Sequence, residues 1–208
     1  MRILVLGNSL TLPRGGCRPI NYNPKKDKIV VKYEQTYPKL VANEYDAELI
    51  NRCQIGCKID RVYEDFHYKI PYLLECDVII VHTGLVDCWV RKDKNGNKYQ
   101  RTPIKEFKKI YDDIISNFNE YSNRDQILIF IGIGQPHPKY KGMKNIINQY
   151  NKVLESESNN TDIYYVDLEE INDDTYKDYK YLDNHLKVKG NELIKRKISD
   201  ILKGGFYD

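Results

Sequence analysis

The chain has 208 residues, and 33 lysines and arginines against 30 aspartates and glutamates leave a formal net charge of +3. A hydrophobic fraction of 41% excludes a disordered or membrane-embedded chain, and the interspersed charges offer no concentrated basic face of the kind that nucleic acid requires. The longest apolar stretch, Gln126 to Gly134, is far shorter than the roughly 20 residues that cross a bilayer, and the apolar run Ile3–Leu6 falls short of the roughly 7–15 residues of a secretory core. The expectation is therefore a cytoplasmic protein built as one domain over residues 1–208, with no nucleic-acid partner and no membrane span.

Taken in chain order, the first element is a strand, Arg2–Leu6. Thr36 is placed to cap a helix running to about Tyr45, since Pro38 is tolerated in a first turn. A strand over Ala47–Ile50 and a helix over Asp60–Ile70, ending near Pro71, come next. Asp77–His82 reads as a third strand. Ile104, Phe107, Ile110, Tyr111, Ile114, Ile115 and Phe118 recur at three-to-four spacing and predict a helix over 104–120. Gln126–Ile131 is a strand. Ile146, Ile147, Tyr150, Val153 and Leu154 mark a helix, Asp162–Val166 a last strand, and Leu193, Ile194, Ile198, Ile201 and Leu202 a final helix. The segments 11–32 and 91–103 are long and polar and read as loops bordering a site. Within the first of them, Lys25, Lys26, Lys28 and Lys32 form the densest basic stretch, which a solvated loop explains.

Most of the strands are continuous apolar runs, as in a parallel sheet buried on both faces. Strands alternating with helices predict an α/β fold, a three-layer α/β/α sandwich around a flavodoxin-like, doubly wound, five-stranded parallel sheet. Five cysteines, at 17, 53, 57, 76 and 88, are an odd number that argues against a disulfide framework. Cys76 and Cys88 flank a predicted strand as core residues. Cys53 and Cys57 lack a second Cys or His pair at zinc spacing, so neither metal nor cofactor is expected.

Ligands of open parallel sheets bind beyond the carboxyl ends of the strands. There the sequence delivers Gly7-Asn8-Ser9-Leu10 after the first strand, Asn51 to Gly56 after the second, His82-Thr83-Gly84-Leu85-Val86-Asp87 after the third, and Asp183-Asn184-His185 before the last helix. A serine, a histidine, an acid and glycines with free N–H groups are the parts that acyl transfer requires. His67 and His137 are read as structural or exposed. A flavodoxin-type FMN site is set aside, because Leu10 to Pro13 lacks a phosphate loop rich in Ser, Thr and Gly.

Along its whole length the chain resembles the SGNH/GDSL hydrolase superfamily. Gly7-Asn8-Ser9-Leu10 is similar to the first block of that family, with Asn8 in place of aspartate. Asn51 and Gly56 match the second block, Ile147–Leu154 the helix after the fourth strand, and Asp183 with His185 the last block. The resemblance implies Ser9 as nucleophile, His185 as general base, Asp183 as the acid that orients it, and the N–H groups of Ser9 and Gly56 as oxyanion donors.

Two positions depart from the pattern. The third block, usually Gly-x-Asn-Asp, reads Gly84-Leu85-Val86-Asp87, so Val86 replaces an asparagine that donates to the oxyanion; Asn8, His82, Thr83 and Arg91 are the candidate substitutes. The last block has two residues' spacing instead of three, which leaves Asp178 or a backbone carbonyl as alternatives to Asp183. Asn8, His82, Gly84, Asp87 and Arg91 are thus expected to shape the site. The stretch His82–Arg91 resembles a subgroup associated with bacterial surface-glycan biosynthesis. The expected activity is hydrolysis of small acyl esters of a carbohydrate or other small molecule. An O-acyltransferase using the same residues and a non-catalytic binding protein of the same fold are the alternatives.

Overall fold

The computed structural model describes residues 1–13, 31–68, 75–122, 125–156, 158, 162–181 and 184–206. Five apolar segments make one parallel sheet: β1 (Arg2–Gly7), β2 (Glu48–Asn51), β3 (Val78–His82), β6 (Ile127–Ile131) and β7 (Ile163–Val166). Their spatial order is β2-β1-β3-β6-β7, every pair parallel. This is a doubly wound order whose direction reverses between β1 and β3, where a crevice forms at the carboxyl ends.

Because side chains alternate across a strand, each strand feeds two cores. Leu4, Leu6, Ile79, Val81, Leu128, Phe130 and Ile163 face one side, where they meet Phe66 of α2 (Ile59–Tyr68), Phe107, Tyr111 and Ile114 of α4 (Ile104–Tyr121) and Ile147 and Tyr150 of α5 (Lys144–Glu155). Ile3, Val5, Val78, Ile80, Ile129 and Val166 face the other, against Tyr37 and Val41 of α1 (Tyr37–Glu44) and Leu193, Ile194, Ile198 and Leu202 of α7 (Val188–Phe206). Each fully buried large side chain contributes about 1.5–3 kcal/mol, and both helical layers are needed to keep the sheet out of water. The three-layer α/β/α sandwich expected from the strand pattern is the observed fold.

Some elements escaped the periodicity. The segment read as a loop over 91–103 contains an antiparallel ribbon, β4 (Val90–Lys92) paired with β5 (Lys98–Gln100). Its turn is local chemistry: the Asp93 carboxylate accepts from the N–H groups of Asn95 and Asn97, both at 2.8 Å, and Gly96 takes a positive φ of 83°. The Asn-Gly pair is the signal that identifies such a turn in sequence. Two one-turn helices, α3 (Leu85–Cys88) and α6 (Tyr176–Tyr179), are too short to show a period. Thr36 precedes α1 as expected, with Pro38 in the first turn, but its hydroxyl donates back to the Tyr33 carbonyl at 2.7 Å instead of capping the helix. The lysines at 25, 26 and 28 lie outside the described residues, while Lys32 precedes a 3-10 turn at Tyr33–Gln35.

Candidate active site

Strand β1 ends at Gly7, and the chain then turns sharply into a 3-10 turn, Ser9–Thr11. Asn8 makes that turn: its Oδ1 accepts from the Leu10 N–H at 3.0 Å, its backbone carbonyl accepts from the Thr11 hydroxyl at 2.8 Å, and its own N–H donates to the His82 carbonyl at 3.1 Å. Gly7 permits this close approach of β1 to β3. A Cβ there would stand 2.2 Å from the His82 oxygen, at a φ of 150°. Ser9 therefore sits half-buried at the crevice, on the first residue of a turn whose Leu10 and Thr11 N–H groups are both taken up by Asn8.

His185 arrives from the far end of the chain. The backbone of Lys180 and Leu186 forms an antiparallel bridge, the Tyr181 N–H donates to the His185 carbonyl at 2.8 Å, and the Lys187 N–H donates to the Tyr179 carbonyl at 2.7 Å. Asn184 takes a positive φ of 70° at the tip of this hairpin, and its Oδ1 accepts from the His137 N–H at 3.0 Å and the Tyr176 hydroxyl at 3.1 Å. Held in this way, His185 places Nε2 3.0 Å from the Ser9 Oγ. Asp183, the acid expected to orient the imidazole, lies outside the described residues. The alternative, Asp178, is a largely exposed carboxylate that pairs with Lys189 of α7 at 3.0 Å.

The remaining expected residues divide by position. Asp87 is fully buried in α3, where its carboxylate accepts from the N–H groups of Ile59 and Gly84 (both 3.1 Å) and from the hydroxyls of Thr102 (2.7 Å) and Thr83 (3.2 Å). It ties the start of α2, the turn after β3 and the approach to α4 into one unit. Burial raises its pKa from the ordinary carboxylate value, against the four donors that lower it. Gly84 allows the turn after β3: its φ is 98°, and a Cβ would lie 2.7 Å from the Ile133 side chain. Gly56, at a φ of 70°, is exposed in the loop after β2, which the Gln54 N–H anchors to the Gly7 carbonyl at 2.9 Å.

Among the candidates to replace the asparagine missing at Val86, Thr83 gives its hydroxyl to Asp87 and Arg91 stands exposed on the β4–β5 ribbon. His82 is buried, with Nδ1 3.1 Å from the Tyr37 hydroxyl; burial, aided by the Lys180 charge, pulls its pKa down to about 3, so the ring stays neutral. Asn8 is also buried, and its Oδ1 is used by the turn. His82 and Asn8 are thus buried at the ends of β3 and β1, with His82 Nε2 and Asn8 Nδ2 unpartnered among the described residues, and the His137 ring packs edge-on against Tyr176.

Lys180 is a buried cation near the candidate site that sequence reasoning missed. It is 2% exposed, and its Nζ donates to the carbonyls of Gly134 (2.9 Å) and Gln135 (3.3 Å) in the loop after β6. Burial pulls this amine down to about 7. Nothing in the local pattern Tyr179-Lys180-Tyr181 distinguishes it from a surface lysine. Cys53, Cys57, Cys76 and Cys88 are free thiols, and burial raises the pKa of each, so they are poor nucleophiles.

With the crevice, the serine and the histidine in place, the fold can be compared with solved structures. A catalytic mutant of an acetylxylan esterase from Geobacillus stearothermophilus superposes with a TM-score of 0.70 at 14% identity, over 100% of this chain and 94% of that one. The acetyl xylan esterase AlAXEase matches at 0.67 and 19% identity, over 97% of this chain and 100% of that one. A psychrotrophic esterase from Pseudoalteromonas sp., inhibited by monoethylphosphonate, matches at 0.64 and 18% identity, over 100% and 99%. No protein-family model and no curated protein sequence matches the chain. The chain shares the fold of these esterases, the α/β/α sandwich that the SGNH/GDSL resemblance implies.

Proposed function

We propose that the protein is a serine esterase that removes small acyl groups, acetyl above all, from a carbohydrate. The observation that carries this reading is the 3.0 Å separation between Ser9 Oγ and His185 Nε2 at the carboxyl edge of the sheet. A serine hydroxyl is a weak nucleophile until a base within hydrogen-bond reach takes its proton. In the proposed reaction Ser9 attacks the ester carbonyl as His185 accepts its proton. The tetrahedral oxyanion is received by the N–H groups of Ser9 and Gly56, and His185 then protonates the departing sugar alkoxide. Water, activated by the same imidazole, releases the acid from the acyl-enzyme. We assign Asp183 to hold the imidazole tautomer and stabilise its cation. The carbohydrate part rests on the shared fold with the acetylxylan esterases.

The test is labelling of the folded protein with a fluorophosphonate probe, followed by acetate release from p-nitrophenyl acetate and from acetylated xylo-oligosaccharide. Labelling that vanishes in Ser9→Ala and weakens in His185→Ala is expected. A folded protein that takes no label would overturn the reading.

A further inference from the structure

At the carboxyl ends of β6 and β7, away from Ser9, a cleft of about 410 Å³ opens between α5 and the loop that follows β7. That volume lies within the range of small-molecule sites, about 300–1,000 Å³. Its walls are polar. Four carboxamides line it, Gln135, Asn148, Asn151 and Asn172, with the Tyr165 ring at one side. Two lysines face three carboxylates across it, so no single sign of charge dominates, and Asp167 is already engaged by Lys197 at 3.2 Å. Such a lining neither concentrates a phosphate nor traps a cation. Carboxamides that both donate and accept suit an uncharged ligand rich in hydroxyl groups.

Two details connect the cleft to the candidate active site. Gln135 gives Nε2 to Asn148 Oδ1 at 3.2 Å, while its Oε1 is buried and has no hydrogen-bond partner among the described residues. An orphaned buried acceptor is unfavourable unless a ligand or water supplies a donor. The backbone of the same residue accepts from Lys180 Nζ, and Lys180 is bridged to Leu186, the neighbour of His185. The cleft wall and the hairpin carrying His185 are therefore one hydrogen-bonded unit. Asn151 stiffens that wall by clamping Ile133, accepting from its N–H at 2.8 Å and donating to its carbonyl at 3.0 Å.

We propose that this cleft is a subsite for a neutral sugar unit of the substrate, with a sugar hydroxyl donating to Gln135 Oε1 and a further hydroxyl meeting the Asn148 amide. The subsite deepens the esterase reading and rests on it. Calorimetric titration of the full chain with xylotetraose and cellotetraose, with tetragalacturonate as the anionic control, tests it. The expected result is binding of a neutral oligosaccharide but not of tetragalacturonate, with a Kd raised at least about tenfold in Gln135→Ala/Asn148→Ala, the equivalent of about 1.4 kcal/mol. Asn148 is exposed on α5, so Asn148→Trp, which fills the cleft without touching the core, gives the same loss in a variant expected to fold. Absence of binding to both neutral sugars, preference for the anionic one, or binding unchanged in Asn148→Trp would each overturn the subsite. Fluorophosphonate labelling of Ser9 reports separately on the esterase reading: a labelled protein that binds neither neutral sugar sinks the subsite alone.

Discussion

Ser9 Oγ and His185 Nε2 stand 3.0 Å apart although 176 residues separate them in the chain. Two independent supports create that contact: the Asn8-capped turn at the end of β1 and the bridged hairpin ahead of α7. If the pair works as one unit, its single substitutions will not add. Ser9→Ala and His185→Ala should each lower kcat for p-nitrophenyl acetate by at least about 10³-fold, and the double variant should be little worse than either. Steady-state acetate release checks this, and additive losses would argue against a shared proton transfer.

Gly7 offers a sharper test of position. A methyl group there meets the backbone oxygen of His82 at 2.2 Å, and no side chain can move to relieve it. Gly7→Ala must separate the ends of β1 and β3 or displace the Ser9 turn. It should lower stability by about 1–3 kcal/mol and slow fluorophosphonate labelling far more than a stability loss alone would. Urea unfolding and labelling rates measured side by side separate the two effects.

Asp87 is expected to be a matter of stability before rate. Asp87→Ala strands the buried N–H groups of Ile59 and Gly84 and two threonine hydroxyls, and should cost about 3 kcal/mol or more. Asp87→Asn keeps one oxygen acceptor and should cost less. Because burial raises the Asp87 pKa above its unfolded value, the folded state binds the proton more tightly, so wild type should gain stability relative to Asp87→Asn as the pH falls. Urea midpoints across pH 3–7 measure it.

Lys180 predicts a pH window of its own. Its amine falls from 10.5 in the unfolded chain to about 7 in the fold. Between those values the unfolded state binds more protons, so stability attributable to Lys180 rises with pH, by at most about 1.4 kcal/mol per unit. Below pH 7 both states are protonated and the contribution is level. Comparing unfolding of wild type and Lys180→Met from pH 6 to 10 should reveal a difference that grows only above about 7. His82 acts with the same sign lower down, between about 3 and 6.5.

Much of this architecture was legible before any coordinates. The apolar runs at Ile3–Leu6, Val78–Val81 and Ile127–Ile131 announce buried parallel strands, because a strand covered on both faces has no polar side to alternate with. The regular spacing from Ile104 to Phe118 announces α4. The β4–β5 ribbon was not recovered from periodicity, since its strands are only three residues each and lie largely exposed; its Asn95-Gly96 turn was the one available mark. The short helices α3 and α6 were invisible for the same reason.

For the candidate site, the sequence by itself determined which residue types stand after which strand: Ser9 after β1, Gly84 and Asp87 after β3, His185 before α7. Those assignments depend on local pattern and on motif order, both written along the chain. Only the tertiary structure decided that Ser9 and His185 meet at 3.0 Å, that Asp87 serves as a buried staple, that Arg91 stands out on a ribbon, and that Lys180 is buried behind the His185 hairpin. Each of these is a relation between segments far apart in sequence. Burial and partnership are properties of the packed whole, so a lysine flanked by tyrosines reads as a surface residue until the loop after β6 closes over it.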